Sequence, residues 1–237
     1  MSGQNYIVVG GKGFIGSAVT KRLHELGNNV TVISRSRDPD PYKVCDLERV
    51  TFVSADVTNS VRFWEEVSEL PESHRSVIYA VGDCPEQGFD AAVRNPLSTE
   101  DGVSALVDEI SMHAIGLANA VSRLLPKIAD GGSLVVIGSD ITRLNKGADR
   151  PEWLQAGHYA AAKAAQATMV QGWYRRDPGF TSRNILAHLI EPGAVDGPFH
   201  EGSAHPKPPT ISVARVVEAV VIATLCETGQ EFVLLPQ

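Results

Sequence analysis

The sequence has little with which to staple or anchor itself. Its three cysteines, Cys45, Cys84 and Cys226, are odd in number, far apart and outside any CxxC pair. That excludes a disulfide framework and a structural zinc site, and fits a reducing cytosol. Long apolar runs are missing too: the longest, Ala214–Cys226, is short and interrupted by Arg215 and Glu218, so no bilayer span is expected. No basic cluster precedes the apolar Tyr6-Ile7-Val8-Val9, and a secretory leader is therefore not expected. Positive charge is scarce, with 21 Lys and Arg against 28 Asp and Glu and a formal charge of −7. Such a balance offers no general attraction to nucleic acid or an anionic membrane. There is no HExxH and no Cys/His cluster, so no metal is expected, and no GxSxG elbow, which removes the best signature of a hydrolase. A soluble, cytoplasmic protein is what these absences leave.

What is present is a chain of 237 residues, 43% of them hydrophobic, enough to bury a substantial core and too apolar for disorder. Short β-branched runs alternate with helix-patterned segments throughout. Tyr6–Val9, Val30–Ile33, Thr51–Val53, Ser76–Ala80, Ser133–Ile137, Ile185–Ile190 and Phe232–Leu235 read as strands. Ser17–Leu26, Phe63–Leu70, Val103–Ile128, Tyr159–Tyr174 and Val213–Cys226 read as helices, the third behind a capping cluster at Ser98-Thr99-Glu100-Asp101. Alternation of this kind predicts an α/β fold, a mostly parallel sheet with helices on both faces and right-handed crossovers. No repeat or linker divides it, and residues 1–237 are expected to form one domain. Two stretches read as loops, Asp83–Pro96 and Asp196–Pro209, the second a surface flap containing His200 and His205.

The most informative local motif is Val8-Val9-Gly10-Gly11-Lys12-Gly13-Phe14-Ile15-Gly16, a GxxGxxG run between a strand and a helix. The chain must turn tightly off the strand, and a pyrophosphate must approach backbone N–H groups. The helix opening at Phe14 and Ile15 must also pack near the sheet while its N-terminal dipole faces the phosphates. The next strand chooses the cofactor. An NAD site would carry Asp or Glu about 20 residues past the glycines. Here Ser34-Arg35-Ser36-Arg37 stands there, with Arg35 19 residues beyond Gly16. Guanidinium and hydroxyl groups suit a 2′-phosphate, so NADP(H) is favoured over NAD(H). The bland alternative is a solvated basic turn, and Asp38 or Asp40 would be the missing acid if the strand ended later. Asp56-Val57, after the third strand, either meets an adenine amino group or caps the helix near Asn59.

Tyr159-Ala160-Ala161-Ala162-Lys163 sets a phenol and an ammonium four residues apart, on one helical face. The ordinary tyrosine pKa of about 10 suits neutral-pH chemistry poorly, and a neighbouring ammonium, with a nicotinium charge nearby, is expected to lower it. Gly138-Ser139 ends the fifth strand with a hydroxyl at its carboxyl edge, where ligands bind in open parallel sheets. A serine there donates to a carbonyl oxygen while a tyrosine delivers the proton. Glu191-Pro192-Gly193-Ala194-Val195-Asp196 closes the sixth strand at the same edge.

Taken in order, the glycine motif, the serine, the YxxxK and the Pro-Gly turn resemble the short-chain dehydrogenase/reductase superfamily over nearly the whole chain. The resemblance implies a single doubly wound Rossmann-type domain with a parallel sheet of about seven strands, and NAD(P)-dependent oxidation of an alcohol or reduction of a carbonyl on a small molecule. By position it makes Ser139 the group that orients the substrate oxygen and Tyr159 the acid/base. Lys163 holds the nicotinamide ribose and tunes the tyrosine. Pro192, Gly193 and Val195 then line the nicotinamide, and Ala80 and Gly82 border the adenine and its ribose. It also implies a homodimer or homotetramer through the Val103–Ile128 and Tyr159–Tyr174 helices. The sequence departs from the short single-domain pattern in four places. The glycines have the GxxGxxG spacing of the epimerase-like branch, and Tyr79-Ala80-Val81-Gly82 replaces an Asn-Asn-Ala-Gly. His113 falls where the relay asparagine is expected, and Ser139 and Tyr159 are 20 residues apart, more than usual. That spacing implies an inserted loop over 140–158 near the substrate, with Trp153 and His158 as candidate contacts. An epimerase or dehydratase that uses the nicotinamide transiently is therefore the alternative enzyme, although little chain beyond Val195 remains for a separate substrate region. A non-catalytic dinucleotide-binding regulator is the alternative outside enzymology, and the joint presence of Ser, Tyr and Lys argues against it.

Overall fold

The computed structural model describes residues 3–82, 99–144, 157–198 and 209–229, with the backbone of Glu231–Leu234. Seven strands, β1 (Asn5–Val9), β2 (Asn29–Ser34), β3 (Val50–Ser54), β4 (His74–Tyr79), β5 (Ile128–Ile137), β6 (Leu186–Pro192) and β7 (Glu231–Leu234), form one parallel sheet in the order β3-β2-β1-β4-β5-β6-β7. The doubly wound α/β architecture is thus the one expected. Its order reverses between β1 and β4, and a crevice opens at that point above the carboxyl ends of the strands.

Strand residues alternate strictly between the two layers. Tyr6, Val8, Val30, Val32, Ile78, Val135, Ile137 and Ile190 pack against Val19 and Leu23 of helix α1 (Phe14–Glu25) and Val216, Val220 and Ala223 of the chain's last helix. Ile7, Val9, Ile33, Val77, Tyr79, Val136 and Leu189 turn the other way. They meet Phe63 and Val67 of α2 (Ser60–Ser68), then the stretch formed by α3 (Glu100–Ile110) and α4 (Gly116–Leu124), and then α5 (Gly157–Thr168). The last helix, α6 (Val213–Leu225), closes the first layer. Both faces being covered, the strands read as apolar runs, and each fully buried Ile, Leu or Phe contributes about 1.5–3 kcal/mol by leaving water.

Two elements depart from the expected boundaries. The helix expected over Val103–Ile128 ends at Leu124, because Pro126 in the 3₁₀ turn Leu125–Lys127 cannot continue it, and β5 starts at Ile128. Gly131, at φ +74°, and Gly132, whose Cβ would strike the Arg75 carbonyl, carry β5 past an irregularity opposite β4 between His74 and Ser76. The second departure is a π-helical turn over Ser111–Ile115 between α3 and α4, with a matching one over Met169–Tyr174 after α5. The extra residue in a π turn re-aims nearby side chains. In the first turn, His113 and Ala114 point into the protein, and the buried Tyr79 hydroxyl donates to the Met112 carbonyl at 2.8 Å.

Candidate functional site

The glycine turn occupies the crevice at the sheet reversal. Gly10 follows β1 with φ +80°, and its N–H donates to the Ile33 carbonyl at 2.8 Å. A Cβ there would lie 2.7 Å from the Ala80 carbonyl oxygen, so β1 and β4 approach too closely for any other residue. A Cβ on Gly16 would run into the Gly10 carbonyl. Gly13 caps α1 without any side-chain hydrogen bond, and no acidic residue lies in the first turn. The helix therefore offers an anion backbone N–H groups and the positive end of its dipole. These features fit a pyrophosphate. Phe14 and Ile15 are half-buried on this turn, and Phe14 packs under Gly197, at the start of the flap, and beside the Tyr42 ring.

At the next strand end, β2 stops at Ser34, so Arg35 is the first residue past it and exposed. The two nearby acids lie in the loop beyond. Asp40 is committed to its own loop, accepting the Cys45 N–H at 2.8 Å, and Asp38 lies further out on the surface. Arg37 turns inward to the Cys45 carbonyl at 3.3 Å. Lys12, from inside the glycine loop, reaches the Ser36 carbonyl at 2.5 Å and covers the Phe52 ring. Lys12 was not singled out from the sequence, yet its place in the loop opposite a basic strand end was a usable signal.

The alternatives left open for Asp56 narrow. Asn59, not Asp56, caps α2 by accepting the Arg62 N–H at 3.1 Å, while one Asp56 carboxylate oxygen takes the Thr58 N–H and hydroxyl. The Val57 side chain belongs to the core, and its carbonyl holds Asn119 at 2.8 Å. Only its backbone N–H remains for a ligand. Ala80 and Gly82 follow β4 at the mouth of the crevice, Gly82 being exposed.

On the other side of the reversal, Ser139 follows β5, and α5 lays Tyr159 and Lys163 across it. Tyr159 and Ser139 share a side-chain hydrogen bond. Ser139 Oγ also accepts the Ile141 N–H at 3.3 Å, and Thr142 reaches back to the Ser139 carbonyl and to Glu191 at 2.8 Å. Lys163 is buried, its Nζ 5.7 Å above the Tyr159 ring centre and 3.1 Å from the Ile137 carbonyl. Burial pushes the Lys163 ammonium down to about 7, against an upward pull from the Glu109 carboxylate. The phenol departs from expectation. Burial holds Tyr159 well above its ordinary value, and the Glu109 and Asp140 carboxylates add to the rise, while the Ser139 bond pulls down. Burial is the largest of these influences, and Lys163, placed over the ring, is not among those that pull the phenol down.

His113 enters this cluster through the π turn. Its ring meets Tyr159 edge-on at 5.5 Å, and its Nε2 pairs with Glu109 Oε2 at 3.1 Å. Its backbone carbonyl accepts from Gln166 Nε2 at 3.3 Å. Glu109 and Gln166 were not anticipated, although Glu109–His113 and Lys163–Gln166 have helical i,i+4 and i,i+3 spacing. Pro192 and Gly193 are buried at the end of β6, with the Pro192 carbonyl accepting the Asp140 N–H at 3.1 Å. Val195 bridges to Ile211 and clips the base of the flap. His158 is buried rather than exposed. Trp153, His200 and His205 lie outside the described residues, as do the Asp83–Pro96 loop and most of the flap and insert. Among the described residues no helix is long and apolar enough to cross a membrane, and no group of His, Cys, Asp and Glu is placed to hold a metal.

The family model for the NAD dependent epimerase/dehydratase family matches residues 6–219. No curated protein matches the chain. Among solved structures, a short chain dehydrogenase from Burkholderia cenocepacia in complex with NADP is 21% identical, with a TM-score of 0.73 and coverage of 99% of this chain and 89% of that one. Serine dehydrogenase from Escherichia coli is 18% identical at a TM-score of 0.75, covering 98% of both chains. A 3-oxoacyl-[acyl-carrier protein] reductase from Brucella melitensis is 17% identical at 0.75, over 97% and 89%. With the glycine turn at the sheet reversal and the Ser-Tyr-Lys cluster beside it, the chain belongs to the NAD dependent epimerase/dehydratase family and has the NAD(P)-binding fold of the short-chain dehydrogenases/reductases.

Proposed function

We propose that this protein is an NADP(H)-dependent oxidoreductase that interconverts a carbonyl and an alcohol on a small molecule. The observation that carries the reading is the Ser139–Tyr159 hydrogen bond with Lys163 buried behind it, next to the glycine turn at the same edge of the sheet. Two hydroxyls this close can both turn to one substrate oxygen placed between them, exchanging their mutual bond for two donations to it. A phenol held above its ordinary value is protonated at neutral pH, so Tyr159 stands as the acid of the reductive direction and passes its proton to that oxygen. When bound, the reduced nicotinamide supplies the hydride. Gly10, Gly13, Phe14, Ile15 and Gly16 surround the pyrophosphate in this reading. Asp56, Val57, Ala80 and Gly82 border the adenine side, and Pro192, Gly193 and Val195 line the nicotinamide. The reading includes a homodimer or homotetramer, supported by the exposed apolar Val103, Val107 and Ile115 along α3 and the π turn.

The preference for NADP(H) rests on Ser34 and Arg35 at the end of β2, with Lys12 across from them. In fluorescence titrations and in NADPH oxidation against a panel of aldehydes and ketones, the wild type is expected to favour NADPH over NADH. Arg35→Ala should reduce that preference about 10- to 100-fold, the size of one or two charge-assisted hydrogen bonds. An unchanged ratio would remove Arg35 from the site. One observation favours a second reading: the matching family model is that of epimerases and dehydratases. In that case product would form without net consumption of NADPH.

A further inference from the structure

The face of α5 turned toward the sheet is largely alanine, and within it Gln166 is fully buried. Its side-chain amide is used at both ends. Oε1 accepts from Lys163 Nζ at 3.1 Å, and Nε2 donates to the His113 carbonyl at 3.3 Å. These two partners fix the amide's orientation, since the flipped form would set N–H against an ammonium and oxygen against a carbonyl. The anchoring carbonyl belongs to the π turn, whose neighbouring Met112 carbonyl is held by Tyr79.

The donor count of Lys163 follows from this. An ammonium has three N–H groups, and two are taken by Ile137 O and Gln166 Oε1. Among the described residues nothing takes the third, which is left for whatever binds beside Tyr159. A neutral amine would spend both of its N–H groups on the same carbonyls and turn a lone pair to the site. We propose that Gln166 is a positioning residue, whose amide bridges Lys163 to the His113 carbonyl and thereby aims the one remaining Lys163 N–H at the bound nucleotide. The proposal rests on the nucleotide reading above and adds a residue to it. The titratable groups around this ammonium are Tyr159 on its own helix, Glu109 on α3, His113 on the π turn and Asp140 beyond β5.

The test is NADPH binding followed by fluorescence from about pH 5 to about pH 9, in the wild type, Gln166→Met, Gln166→Glu and Lys163→Met. Wild-type affinity should fall as Lys163 loses its proton, with a midpoint near the value of about 7 set by burial. Gln166→Met takes an acceptor from the ammonium, so its midpoint moves to lower pH, and affinity at neutral pH drops about tenfold. Gln166→Glu puts a carboxylate against the ammonium and moves the midpoint to higher pH. Lys163→Met flattens the profile. Thermal unfolding reports folding of each variant, and Gln166→Glu decides the matter if Gln166→Met does not fold. Wild-type midpoints in the folded Gln166 variants would overturn the proposal while leaving the nucleotide reading intact. Failure of the wild type to bind either NADPH or NADH would overturn the nucleotide reading, and the proposal with it.

Discussion

Replacing Tyr159 with Phe is expected to lower carbonyl reduction by about 10³-fold, within the range that a positioned general acid contributes. The change removes only the hydroxyl. The ring stays packed edge-on against His113 and beneath Lys163, so the fold and NADPH affinity should stay close to the wild type. Loss of turnover with binding retained is the signature of a group that acts on the reacting atoms. Ser139→Ala should have a milder effect in the same direction, because one of two donors to the substrate oxygen remains. Steady-state kinetics on the best carbonyl of a panel, with NADPH titrations in parallel, check the result. Unchanged turnover in Tyr159→Phe would remove it from the chemistry.

The second large effect is expected at Gly16. A side chain there meets backbone, not a flexible neighbour: the Gly10 carbonyl and the Gly11 Cα both lie in its way. Gly16→Val must therefore push α1 away from the glycine turn. The cradle and the packing of α1 on the sheet are lost together. NADPH affinity should weaken at least about 100-fold, equivalent to about 2.7 kcal/mol. Stability should fall by about 2–3 kcal/mol, as overpacking in a close contact does. Gly27→Ala is the control. Gly27 has φ +85° but nothing near its absent Cβ, so it should lose about 1 kcal/mol to backbone strain and leave nucleotide binding alone. Thermal unfolding and NADPH titration of both variants separate the two mechanisms. Equal nucleotide affinity in both would contradict the cradle.

These two residues were legible in the sequence because each belongs to a pattern with a physical reason. Glycines between a strand and a helix, and Tyr and Lys one helical turn apart, report on local geometry that the chain itself specifies. The strands were legible for a related cause: burial on both faces makes each one a continuous apolar run. What was not legible depended on distant partners. The helix assigned through Ile128 keeps its apolar period up to the point where Pro126 stops it. The π turn at Ser111–Ile115 has no period of its own, and it is what sends the His113 carbonyl to Gln166. Spacing places Lys163 near the Tyr159 ring without saying how deeply the phenol is buried, and burial is the largest cause of its upward shift. Gln166 itself sits in an alanine run where a lone amide looks incidental until its two partners are known.

The proposed function stands or falls on net hydride transfer, with Tyr159 supplying the proton. It is tested most directly with NADPH deuterated at the transferred C4 position, turned over against a carbonyl panel and analysed by mass spectrometry. The reading predicts one deuterium on the carbinol carbon of the product for each NADPH consumed, with the signal lost in Tyr159→Phe. Product that forms without deuterium and without NADPH consumption would contradict it and support an epimerase or dehydratase.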